Sequence, residues 1–143
     1  MSELIGKATE MINDFIVGKG ISLSEAYSPD KKMWSLKRGS ANIQIILLTV
    51  PVGENVFREF VQAASPIMLI PKGRETELYR KLLELNDIKL GIKFSIQKGT
   101  DQVWALAERD LIGMGYSELT TVLEDFGFWA DELDDVLKKE FSS

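Results

Sequence analysis

Residues 33–50 read MWSLKRGSANIQIILLTV, and this stretch decides the fold. Met33 to Lys37 alternates, with Trp34 and Leu36 on one side. Arg38-Gly39-Ser40 is a turn signal. Ala41 to Val50 follows, placing Ala41, Ile43, Ile45 and Leu47 on one face. Alternation on both sides of a glycine turn predicts a β-hairpin. Ile46 and Leu48 stand on the second face of the same strand. They require either a crossing helix of the same chain or a partner from outside.

Beyond Val50, Pro51 to Asn55 is a second turn and Val56 to Ala64 a third strand. Pro66 is expected to end or bend that strand, because proline donates no ladder bond. Arg74 to Asp87 carries Leu78, Leu82 and Leu85 at helical spacing, with Glu75 and Glu77 near the start, where acidic groups suit the dipole. Ile92, Phe94 and Ile96 alternate. Lys98 to Asp101 then turns the chain, and Val103 to Glu108 returns as a second hairpin. Upstream, Leu4, Ile5, Ala8, Met11, Ile12, Phe15 and Ile16 predict a helix from Ser2 to Val17, closed by Gly18. Gly18 to Lys32 reads as a loop. Downstream, Ser117 is a candidate cap for a long helix whose stripe is Leu119, Val122, Leu123, Phe126, Ala130, Leu133 and Leu137. The expected class is α+β: helix, three strands, helix, two strands, helix, in one domain over residues 1–143, with a mainly antiparallel sheet and helices packed on it.

Composition narrows the function. The chain has 143 residues, 45% hydrophobic and 27% charged, with neither cysteine nor histidine. Disulfides, a thiol nucleophile, the commonest general base and the commonest transition-metal ligand are therefore all missing. Absent cysteine fits the cytoplasm. The longest apolar runs, Ile45–Leu48 and Ile67–Ile70, are far shorter than a membrane span of about 20 residues. Net charge is −5. From Ser117 onward eight acidic residues face two basic ones, whereas the preceding part is nearly balanced. An acidic end argues against nucleic acid and against anionic membrane surfaces as partners.

The motifs that resemble sites have structural readings. Gly18-Lys19-Gly20 and Gly113-Met114-Gly115 lack the third glycine and the strand–turn–helix setting of a nucleotide loop. Asp131, Glu132, Asp134 and Asp135 suit a hard cation by charge, but without an EF-hand loop they read as a solvated face. Glu108-Arg109-Asp110 reads as a salt-bridged strand end. Paired carboxylates keep a hydrolase as a third-ranked possibility. Phe128 is placed about 180° from the apolar stripe, beside Glu124, Asp131 and Asp135; either it is a contact spot or Gly127 kinks the helix and turns it inward.

Several stretches together resemble the YbjN family of bacterial proteins, described as sensory-transduction regulators, and its cyanobacterial members above all. They are Trp34 to Ala41, Ser65-Pro66-Ile67-Met68 with Pro71, Leu78 to Asn86, Ile92 to Ile96, and the last helix with Asp131, Leu133 and Leu137. The resemblance covers about Met33 to Phe141. It implies a fold like the type III secretion chaperones, which are small, acidic, often dimeric, and hold an extended segment of another protein. The family brings no active site.

The reading is thus a non-enzymatic, homodimeric, cytoplasmic domain that binds a protein or peptide and needs no cofactor or metal. Its candidate contact residues are Phe128, Trp129, Ile46 and Leu48. The alternative is a small-molecule sensor with a pocket between the sheet and the last helix, lined by Trp34, Phe94 and Trp104.

Overall fold

A computed structural model describes residues 2–89 and 91–142. Helix α1 spans Glu3–Gly18. Ser2 caps it, its hydroxyl oxygen accepting from the Ile5 amide at 3.0 Å, and Ala8, Ile12, Phe15 and Ile16 form its buried side. The segment read as a loop contains a one-turn helix, α2 (Leu23–Ala26), and a two-residue strand, β1 (Tyr27–Ser28). Then come β2 (Met33–Arg38), β3 (Ala41–Gly53) and β4 (Val56–Leu69), followed by α3 (Glu75–Ile88), β5 (Lys93–Ile96), β6 (Gln102–Asp110) and α4 (Tyr116–Phe141). Every strand pairing is antiparallel, in the order β1-β2-β3-β4-β6-β5.

Two expectations are corrected and one alternative is closed. Pro51 and Pro66 interrupt neither strand. β2 follows β3 only as far as Ile45, so Pro51 lies where β3 has one neighbour. Pro66 lies beyond Ala64, the last β4 residue paired with β3, and marks a register shift against β6. In both places one side of the strand has no ladder to lose, which is where proline is tolerated. Ser117 is not the cap of α4. The helix begins at Tyr116, with Gly115 at the cap position, two residues before Ser117, and the Ser117 carbonyl accepts from the Thr120 hydroxyl at 3.0 Å. Gly127 does not kink α4, which runs unbroken past it.

Asn86 solves a problem that its helix does not announce. β5 is an edge strand. The Asn86 side chain accepts from the Phe94 amide at 2.7 Å and donates to the Phe94 carbonyl at 3.3 Å. One amide thus acts as a strand partner where the ladder stops, which blunts an exposed edge.

Alternation gives the sheet two faces. Trp34, Ile43, Ile45, Val61, Ala63, Val103, Ala105 and Phe94 share one face with the buried sides of α1, α3 and α4 in a single core. Ile46, Leu48, Phe60, Trp104 and Leu106, on the other face, are absent from that core.

Candidate functional site

The uncovered face is built by cross-strand neighbours. Leu48 stands opposite Phe60, Ile46 opposite Gln62, and Gln44 opposite Ala64. Ala64 stands opposite Leu106 and Pro66 opposite Trp104. Ile46, Leu48, Phe60, Trp104 and Leu106 are all half-buried. A shallow hollow of about 260 Å³ lies here, between Gln44, Gln62, Ala64, Gln97, Trp104 and Leu106. Trp104 Nε1 donates to Gln97 Oε1 at 3.3 Å. The rim is polar: Glu108 accepts from Lys93 and, at 2.7 Å, from Gln62 Nε2. The Lys93 ammonium is the main reason the Glu108 carboxyl is held below its ordinary range. Beside this face the β3–β4 hairpin outruns its neighbours, leaving Val52, Val56 and Phe57 in solvent.

The four expected contact residues therefore divide between two surfaces. Ile46 and Leu48 belong to the uncovered sheet face. Phe128 and Trp129 belong to α4, on the helical side. Phe128 is 47% exposed and stacks edge-on against Trp129, with ring centres 4.9 Å apart. The Lys89 ammonium lies 4.3 Å above the Trp129 ring.

The three expected pocket residues do not meet either. Trp34 is a core residue, its ring 5.0 Å from that of Tyr27 and its Nε1 donating to Asn13 Oδ1 at 2.9 Å. Phe94 is likewise buried, while Trp104 stands on the opposite face. The sheet and the last helix do bound a cleft, of about 410 Å³, but Phe15, Ile21, Leu36, Ile43 and Leu123 line it. Glu124 holds Lys19 and Arg38 together at its mouth, Arg38 Nη1 lying 3.1 Å from Glu124 Oε2. Gly127 makes room for this. A Cβ there would stand 3.2 Å from Arg38 Nη1 and 3.4 Å from Ile43 Cδ1.

Lys19, more than Arg38, holds the Glu124 carboxyl below its ordinary range, against the opposing effect of desolvation. The fold therefore favours the ionised form. Its contribution to stability is complete above the ordinary value of 4.5 and is lost as pH falls through the depressed folded value. The partners are well solvated, so the gain is small and weakens with salt. Glu124→Gln should flatten the acid side of the stability–pH curve in denaturant titrations and leave neutral stability nearly unchanged. A curve identical to wild type would remove the clasp from the account.

In the acidic cluster on α4, Glu132 and Asp135 are exposed as spacing suggests, but Asp134 is buried, and Asp131, Asp134 and Asp135 all reach Ser40. The Ser40 amide donates to Asp131 Oδ1 at 2.9 Å, and the Ser40 hydroxyl lies 3.1, 2.9 and 2.8 Å from oxygens of Asp131, Asp134 and Asp135. Asp134 is only 2% exposed. Its second oxygen faces Lys138 Nζ at 2.9 Å, off the axis of a hydrogen bond. The cluster thus fastens the end of α4 onto the β2–β3 turn. Among the described residues no three acidic groups are arranged to hold a metal. At the end of β6, Glu108 bonds as above, Arg109 pairs with Glu118 at 3.3 Å, and Asp110 accepts from the Ile112 amide at 2.7 Å.

One antiparallel sheet with a helical layer on a single face gives an α+β fold of the type III secretion chaperone-like class. Among solved structures, a chain in the crystal structure of the ExsC–ExsE complex matches over 91% of this chain and 95% of its own, with a TM-score of 0.57 and 18% identity. That likeness is one of fold. No protein-family model and no curated protein matches the chain. No helix among the described residues is long and apolar enough to cross a membrane.

Proposed function

We propose that this chain is a non-enzymatic, cytoplasmic, homodimeric domain of YbjN type that binds a segment of another protein on the uncovered face of its sheet. One observation carries the reading. Ile46, Leu48, Phe60, Trp104 and Leu106 form an apolar, half-buried surface that, among the described residues, stands outside the core into which the helices pack. An apolar surface rimmed by polar groups is the anatomy of a protein contact. The likeness to a chain crystallised in a protein–protein complex agrees with it. The net charge of −5 disfavours nucleic acid. The resemblance of residues 33–141 supports the family.

The test is affinity capture from the native cell extract with wild type, with Leu48→Glu and Phe60→Glu together, and with Phe128→Ala. The captured protein should be retained by wild type and weakened at least about tenfold by the sheet-face pair, some ~1.4 kcal/mol. Circular dichroism should show both variants folded. A partner held equally well by the sheet-face pair would refute the reading. Loss in Phe128→Ala alone would move the contact to α4.

The cleft between α1, β2–β3 and α4 favours a second reading, a small-molecule sensor. A ligand there stabilises the native state by mass action. A thermal-shift screen that moves wild type but not Leu36→Trp, whose larger side chain fills the cleft, would support it.

A further inference from the structure

The cleft between α1, β2–β3 and α4 has an apolar floor and a cationic mouth. Its volume of about 410 Å³ lies within the range of small-molecule sites, about 300–1,000 Å³. Phe15, Ile21, Leu36, Ile43 and Leu123 supply the apolar wall. Gly127 adds no side chain between Arg38 and Ile43, so α4 leaves the space open.

The charges at the mouth do not cancel. Lys19, just past the end of α1, and Arg38, the last residue of β2, share one carboxylate, that of Glu124 on α4. Two cations against one anion leave one positive charge, in a chain whose net charge is −5. Lys37 also borders the cleft, and Glu124 is the one acid among the described residues that line it. A clasp between elements is complete when each cation has its own acid; here one acid serves two. The surplus is accessible, since the Lys19 and Arg38 side chains are 42% and 41% exposed. Among the described residues, Glu124 is the one hydrogen-bond acceptor that Arg38 reaches, although a guanidinium carries five donors. The surplus charge also adjoins the apolar wall: the Lys19 ammonium lies 5.4 Å from the centre of the Phe15 ring. An anionic head is therefore matched by the mouth and an apolar body by the floor. A cationic head meets repulsion at the same place.

We propose that this cleft binds a small monoanion with an apolar body, of the alkyl-carboxylate kind, its chain against Leu36, Ile43 and Leu123 and its carboxylate between Lys19 and Arg38. This rests on the sensor reading above. It is independent of the sheet-face contact, which lies on the other face of the sheet.

The test is isothermal titration calorimetry with sodium octanoate, 1-octanol and octylammonium chloride. Octanoate should bind at least about tenfold more tightly than 1-octanol, because charged hydrogen bonds hold its head. Octylammonium should bind more weakly than either. Lys19→Gln with Arg38→Gln should abolish the preference for octanoate and leave 1-octanol binding unchanged, whereas a damaged cleft would lose both. Glu124→Gln removes the competing carboxylate and should tighten octanoate about two- to fivefold. Leu36→Trp should block octanoate and 1-octanol alike. Octanoate held no better than 1-octanol overturns the proposal, as does octanoate held equally by the Lys19–Arg38 double variant. In either case the sensor reading stands if Leu36→Trp still blocks the ligand. Octanoate held equally by Leu36→Trp places the site elsewhere and overturns the proposal. So does a wild type that binds no octanoate; the sensor reading then falls with it only if the thermal-shift screen also finds no ligand that Leu36→Trp excludes.

Discussion

Gly39→Ala is expected to lower the free energy of unfolding by about 2–4 kcal/mol, combining backbone strain with loss of a charged hydrogen bond. Gly39 has φ +58°, the left-handed region that side chains disfavour. A Cβ there would also run into the carboxylate of Asp131. That carboxylate cannot stay where it accepts the Ser40 amide, so the turn between β2 and β3 would part from α4. Gly73→Ala is the control. Gly73 has φ +87°, and a Cβ there meets nothing within 4 Å, so only the backbone cost of about 1–2 kcal/mol applies. Urea denaturation of both variants measures the difference. Equal losses would mean that the seat of Asp131 contributes nothing.

Phe126→Ala should cost about 3–5 kcal/mol, in the range for a buried aromatic truncated in a packed core. Phe126 is 1% exposed and sits where α4 crosses the sheet. Two residues on, Phe128 is 47% exposed, and Phe128→Ala should cost less than about 1 kcal/mol, chiefly its edge contact with Trp129. The denaturant slopes should stay equal, so that the midpoints report stability alone. Comparable losses at the two positions would mean that α4 is rotated from the orientation described.

Glu124 and Ser40 illustrate what local reading misses. Glu124 belongs to an acidic helix and reads as surface charge, yet it joins Lys19 on α1 to Arg38 on β2. Ser40 reads as half of a turn signal, yet it anchors carboxylates 91 to 95 residues away. Neither role leaves a trace in spacing, because each pairs groups that meet only after the sheet and α4 are assembled. Asn86 is similar: its helix is plain from Leu78, Leu82 and Leu85, but its task as a strand partner depends on where β5 ends.

Most segments that are helix or strand were legible along the chain, because periods of 3.6 and 2 are local properties of an apolar pattern. So were the charge balance and the lack of histidine and cysteine chemistry. Which sheet face the helices cover was not. Ile45, Ile46, Leu47 and Leu48 are apolar on both sides, so alternation alone allows either face to be the core. Assembly settled the matter by setting α1, α3 and α4 on the face of Ile43 and Ile45, leaving Ile46 and Leu48 open. It likewise let β3 and β4 run through Pro51 and Pro66, because a proline's missing donor matters only where a neighbouring strand would accept from it.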